Sequence, residues 1–171
     1  RFYGSIAHEI IANSSDFNVL HEERMFTKIE GKIISGCPDW FDGTLINDYK
    51  ITSKYSIAHG VKDEWVKQMN LYRYILVDNG WHPASLQIVA ICRDAGKEDA
   101  KVIILSIEMW DLKHTEAYIR ERVQLHEQAK KVLPFCTEEE RWYTSPKFAV
   151  CKEGNKRAIK KALTITEVHP L

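Results

Sequence analysis

Residues 33–51 restrict this chain more than any other stretch, because β-branched and aromatic residues flank an Asp42-Gly43 pair. Asp-Gly between strand-sized segments signals a two-residue type I′ hairpin turn. With Phe41 opposite Thr44, that turn sets Asp39 against Ile46 and Cys37 against Asp48. Side chains alternate along a strand with a period of two, so Asp39, Asp48 and Lys50 are expected on one face, the two carboxylates as diagonal neighbours. A second turn signal, Glu30-Gly31-Lys32, adds another strand, and residues 24–50 read as a three-stranded antiparallel meander.

The remainder alternates between helix and strand patterns. Residues 4–12 (GSIAHEIIA) suit a short helix ended by Asn13-Ser14-Ser15-Asp16. Residues 63–78 carry Trp65, Met69, Tyr72 and Leu76 at helical spacing, with Asn79-Gly80 as the stop. Residues 86–93 and 101–110 read as strands separated by Asp94-Ala95-Gly96, and residues 111–133 as a long amphipathic helix ended by Pro134. Strands interleaved with helices over 171 residues predict one α/β domain, residues 1–171, with a mixed sheet. The chain opens at Arg1, directly before a helical pattern, which suggests that a preceding N-terminal segment is missing.

Composition removes several function classes. With 44% hydrophobic and 28% charged residues the chain is an ordinary globular one, neither disordered nor collagen-like. Its longest apolar runs, residues 102–105 and 74–77, are far shorter than the roughly 18 residues a membrane span requires. Net charge is zero, from 24 basic and 24 acidic residues, so any nucleic-acid surface must be local. Residues 141–171 hold seven basic and two acidic residues, a net +5 that leaves −5 for residues 1–140 and hints at an anion-facing tail. Cys37, Cys92, Cys136 and Cys151 are scattered, with no CxxC pair and no signal peptide, and are expected to be reduced thiols in a cytoplasmic protein.

The hairpin's charged face carries two meanings. Two carboxylates close together repel, and octahedral Mg²⁺, which takes one or two carboxylates and keeps waters, removes that conflict and suits phosphate chemistry. Lys50 would then stabilise charge developing on a phosphate. The same residues also fit a solvated ladder on a half-exposed strand, and the hairpin alone leaves that alternative open.

The wider pattern resembles a known family. Gly36 to Lys50 (GCPDWFDGTLINDYK) is similar to the PD-(D/E)XK nuclease superfamily, with Asp39 as the first acid and Asp48-Tyr49-Lys50 as the (D/E)XK element. Gly4-Ser5-Ile6-Ala7-His8 resembles the GxxxH helix of RecB-like nucleases, and Gln68-Met69-Asn70-Leu71-Tyr72 their QxxxY helix, in the expected order. The likeness extends to phage-type exonucleases related to the CRISPR-associated RecB-like enzymes, and residues 134–158 resemble the C-terminal segment of phage-encoded members.

The resemblance implies a restriction-endonuclease-like fold, a mixed sheet flanked by helices, and metal-dependent cleavage of DNA. It implies His8, Asp39, Asp48 and the backbone carbonyl of Tyr49 as metal ligands, Lys50 as the catalytic lysine, and Gln68 and Tyr72 as residues that position substrate or water. Mg²⁺ is the expected metal, and an imidazole ligand makes Mn²⁺ plausible as well. Some relatives carry an iron–sulfur cluster on clustered cysteines; this chain lacks that pattern and is expected to hold none. Exonuclease action at single- or double-stranded DNA ends in recombination, repair or phage replication is the first functional expectation. A structure-specific or nicking endonuclease is the second, and a DNA-binding module serving a recombinase or helicase partner the third. A structural Zn²⁺ site in an unrelated protein lacks the paired Cys/His spacing it would need. Lys54, Tyr55, Lys62, Trp65, Lys67 and Arg73 could grip phosphates and bases, although Trp65 at helical spacing from Met69 and Tyr72 suits a core position better, and Lys67 and Arg73 also fit a solvated face. Lys152, Lys156, Arg157, Lys160 and Lys161 could meet DNA phosphates or form a solvated face.

Overall fold

The computed structural model describes residues 20–138, 140–141, 147–151 and 153, and the backbone of residues 158–162. The helix expected at residues 4–12, with Gly4 and His8, lies outside these, as do Lys152, Lys156 and Arg157. The chain divides into two compact units, residues 1–127 and 128–171.

In the first unit the strands are β1 (Leu20–His21), β2 (Met25–Ile29), β3 (Lys32–Gly36), β4 (Trp40–Phe41), β5 (Leu45–Thr52), β6 (Ser85–Cys92) and β7 (Val102–Ile107). The helices are α1 (Lys54–Ile57), α2 (Asp63–Asp78) and α3 (Leu112–Ala129), the last running to the start of the second unit. Five strands form one mixed sheet in the order β1-β4-β5-β6-β7. β5 and β6 are parallel, a pairing that no hairpin can make, and α2 lies in the connection between them. β6 alternates half-buried and buried residues throughout, and its buried set, Leu86, Ile88, Ala90 and Cys92, belongs with Phe41, Ile46, Trp65, Met69 and Leu76 to a single apolar core. Trp65, only 6% exposed, is therefore core, with the Lys62 ammonium 5.0 Å from its ring centroid.

The helix at residues 63–78 matches the expectation from sequence. Asp63 and Glu64 place negative charge in its first turn, which suits the N-terminal end of the dipole. Gly80, at φ 87°, reverses the chain after Asn79, and Trp81 N–H closes on Leu76 O at 3.0 Å. α3 begins after Asp111, whose carboxylate accepts from Lys113 N at 3.0 Å, and it ends at Ala129, four residues short of the expected 133. Among the described residues no helix is long and apolar enough to cross a membrane.

Two expectations require correction. Residues 24–50 do not form one meander: β2 and β3 make a separate two-stranded sheet, and only β4 and β5 join the large one. Pro38 is the reason, since it follows β3 closely and has no N–H to donate to a continuing ladder. The β2–β3 hairpin packs instead on α2, with Thr27 Oγ1 donating to Asp78 Oδ2 at 2.6 Å and Asn79 Nδ2 to Phe26 O at 2.9 Å. Arg120 of α3 also reaches Glu30 at its turn, at 3.1 Å.

The Asp42-Gly43 turn also differs from the two-residue form. Phe41 pairs with Ile46, not Thr44, and Trp40 with Asn47. The Asp42 carboxylate accepts from Thr44 N at 2.8 Å and Leu45 N at 2.7 Å, an Asx arrangement that stabilises a longer loop. Only Gly43 takes a positive φ there, at 95°, whereas a type I′ turn needs one at both central residues.

The second unit contains the antiparallel hairpin of β8 (Phe148–Cys151) and β9 (Ala158–Ala162), with a register irregularity between Val150 and Cys151.

Candidate active site

The longer turn shifts the β4–β5 register by two residues, which preserves the faces but changes the pairing. β4 begins at Trp40, and the same register carried one residue further back would set Asp39 against Asp48, where the shorter turn would have made them diagonal neighbours. Cys37 correspondingly does not face Asp48. Both carboxylates share the sheet face carrying Ile46 and covered by α2, and Lys50 follows two residues later on that face.

Asp48 is the electrostatic centre. Its side chain is 2% exposed, the Lys50 ammonium lies 2.5 Å from Oδ2, and Gln68 Nε2 donates to Oδ1 at 3.1 Å. The same Gln68 nitrogen donates to the Tyr72 hydroxyl at 2.7 Å, so the i, i+4 pair predicted on α2 forms one hydrogen-bonded chain ending on the carboxylate. Burial is the main cause pushing the Tyr72 phenol up to about 12; the Gln68 hydrogen bond opposes it, and Asp48, Asp39 and Cys37 add to it.

Asp39 Oδ2 accepts from Tyr49 N at 2.8 Å, because the ladder between β4 and β5 has already ended where that amide points. The N–H and C=O of one strand residue face the same neighbour, so the Tyr49 carbonyl also points to the Asp39 side. Burial, and then Asp39, raise the Tyr49 phenol. Burial likewise raises the Cys37 thiol, with Arg24 opposing and Glu22 and Asp39 adding.

The structure thus brings together Asp39, Asp48, Tyr49, Lys50, Gln68 and Tyr72, while His8 lies outside the described residues. These oxygen donors suit a hard divalent cation. Asp39 and Asp48 put two carboxylates on one face, and one or two carboxylates with waters is what Mg²⁺ accepts. Among the described residues no group of three or more His, Cys, Asp or Glu side chains converges as a metal cage, and what those residues offer a cation is two carboxylates and a backbone carbonyl.

Two residues of the site escape a sequence reading. At Gly36 an added Cβ would lie 2.9 Å from both Tyr72 Cδ1 and Ile75 Cδ1, so glycine lets the hairpin end close on α2. The second is Asn70, 1% exposed in the middle of α2. Its only signal in the sequence is a polar, helix-neutral residue beside the buried Met69.

Two measurable consequences follow from this packing. Gly36→Ala is expected to displace the Tyr72 ring, costing about 1–3 kcal/mol of stability by overpacking, as urea unfolding would show. Tyr72 should be the last phenol near the site to ionise. In EDTA, the ultraviolet difference titration between wild type and Tyr72→Phe should show a midpoint near 12 where an ordinary tyrosine gives about 10. Because the folded pKa exceeds the unfolded one, its contribution to stability is complete below pH 10 and lost as pH rises through 12.

No family model matches the chain, and no curated protein does. Solved structures do. A protein named "Putative exonuclease" from Eubacterium rectale shares 14% identity at a TM-score of 0.53, over 97% of this chain and 64% of that one. The structure of SSO0001 gives 16% identity at a TM-score of 0.49, over 78% of this chain and 62% of that one. The chain spans less than two thirds of either neighbour's length. Its five-stranded mixed sheet with α2 on one face, matched along nearly its whole length to the Eubacterium rectale structure, is a restriction-endonuclease-like α/β fold.

Proposed function

We propose that this protein is a Mg²⁺- or Mn²⁺-dependent nuclease of the RecB-like PD-(D/E)XK type that hydrolyses DNA phosphodiester bonds, first of all as an exonuclease at DNA ends. The observation that carries this reading is the buried Asp48 carboxylate, on one sheet face with Asp39 and held by Lys50 and Gln68. The fold it shares with a protein named "Putative exonuclease" supports it at a coarser level. Recombination, repair or phage replication are the processes such an activity would serve, with a recombinase or helicase as the corresponding partner.

A divalent cation, when bound, supplies Lewis acidity toward water and phosphate. Asp39 and Asp48 would hold it, with the Tyr49 carbonyl beside them and His8 as the further ligand that the resemblance implies. Gln68 holds the Asp48 carboxylate in place by its hydrogen bond to Oδ1. The Lys50 ammonium, which neutralises Asp48 without a cation, stands next to the phosphate position and offsets negative charge developing there. Tyr72 remains a neutral phenol over the working pH range and steadies the Gln68 amide.

The test compares linear and covalently closed DNA, single- and double-stranded, with Mg²⁺, Mn²⁺ or EDTA, against Lys50→Ala. Digestion of linear DNA only, lost in EDTA and in the variant, is the expected result. Cutting of closed circles would make the enzyme an endonuclease, and a wild type that leaves every substrate intact would defeat the nuclease reading.

A further inference from the structure

We infer that Asn70 is a positioning residue: it fixes the rotation of α2 about its own axis and so places Gln68 and Tyr72 against Asp48. The inference rests on the proposed nuclease for its kinetic readout. Its content is geometric. Asn70 Nδ2 donates to Val66 O and to Glu108 O, both at 2.9 Å, and Oδ1 accepts from Trp110 N at 2.8 Å. Glu108 and Trp110 belong to the connection that leaves the sheet after β7 ends at Ile107, where backbone groups lose ladder partners and must find others. One carboxamide supplies both a donor and an acceptor to that connection. Aspartate would lack the donor and place a charge at a site 1% exposed, and alanine would supply neither bond.

A second side chain repeats the attachment. Arg73, three residues on and therefore on the same side of α2, donates from Nη1 to Trp110 O at 2.8 Å. Trp110 is thus held by its N–H and its C=O, and its ring meets His114 edge-on at 4.8 Å and Tyr118 at 5.7 Å, which ties the connection to the first turns of α3.

The helix period sets what this bracing controls. At about 100° per residue, Asn70 points about 160° away from both Gln68 and Tyr72, taken around the shorter arc, which themselves lie about 40° apart. α2 is therefore gripped on one side by the β7–α3 connection and delivers its functional pair to the sheet carboxylates on the other. Side-chain tips lie about 6 Å from a helix axis, so a rotation of about 10° moves the Gln68 amide by about 1 Å. Displacements of that size cost on the order of a hundredfold in enzymatic rate.

The experiment measures kcat and KM on linear DNA for Asn70→Ala, Gln68→Ala and the double variant, together with the side-chain amide resonance of Gln68, assigned by its absence from Gln68→Ala. Expected are a 10- to 100-fold fall in kcat for Asn70→Ala with KM within about threefold, little additional loss when Asn70 is removed from Gln68→Ala, and a shifted Gln68 resonance. Multiplicative losses in the double variant, or an unmoved resonance, would overturn the inference. Should Asn70→Ala not fold, Arg73→Met releases the same connection at the Trp110 carbonyl, and its own double variant with Gln68→Ala decides by the same criteria. A wild type that cuts no DNA defeats the nuclease reading, and the resonance then decides the role of Asn70 by itself.

Discussion

Lys50→Ala is expected to lower DNA cleavage about 10²- to 10³-fold, and its effect on stability should depend on metal. The ammonium lies 2.5 Å from a carboxylate whose side chain is 2% exposed. Removing it takes away a preorganised charge beside the phosphate, and the loss of one such group costs about 10²- to 10³-fold. It also removes that ion pair from a buried carboxylate. Breaking a fully buried pair costs about 3–5 kcal/mol, and since the Lys50 side chain is itself 25% exposed, about 2 kcal/mol is expected here. In EDTA the variant should therefore unfold at lower urea than wild type, and saturating Mg²⁺ should recover most of that difference while leaving cleavage abolished. Asp48→Asn separates the two effects: it should abolish cleavage equally, yet Mg²⁺ should stabilise it far less than wild type, because half of the carboxylate pair is gone. A Lys50→Ala protein that cleaves within tenfold of wild type would remove the lysine from the mechanism.

Leu76→Ala should have the opposite profile. Leu76 is fully buried on α2, within the core cluster formed with Phe41, Ile46, Met69, Leu86 and Ile88. Replacing it removes three carbons from a packed interior, with an expected loss of about 3 kcal/mol and a Tm lower by roughly 10 °C. It lies one turn beyond Tyr72 and contributes nothing to the hydrogen-bonded chain from Tyr72 through Gln68 to Asp48. At low temperature, where the variant is folded, kcat should remain within about threefold of wild type. A large fall in kcat without loss of Tm would mean that the core and the site are more tightly coupled than the packing indicates.

Much of this organisation was legible in the sequence because it depends on local periodicity. The helical spacing of Trp65, Met69, Tyr72 and Leu76, closed by Asn79-Gly80, gave α2 its bounds, and the i, i+4 rule placed Gln68 beside Tyr72. Strand alternation put Asp39, Asp48 and Lys50 on one face, an assignment that survived the changed turn because a two-residue shift preserves the face. The resemblance to RecB-like nucleases groups the same residues from the motifs alone.

The sequence by itself therefore determined which residues share a face and which helix carries the Gln–Tyr pair, since both follow from the fixed periods of strand and helix. Only the tertiary structure decided that Phe41 pairs with Ile46 and so shifts Asp39 along β5 toward Asp48, because the length of the turn was set by hydrogen bonds that the Asp42 carboxylate accepts from Thr44 N and Leu45 N, which compete with the preference of Asp-Gly for a tighter loop. It also decided that β2 and β3 leave the main sheet at Pro38 and pack on α2. Gly36 against Tyr72 and Asn70 against Glu108 and Trp110 join residues 36 and 38–40 positions apart in the chain. Contacts of that kind have no sequence period to reveal them; they exist only because the fold brings a hairpin end and a departing strand against the same helix.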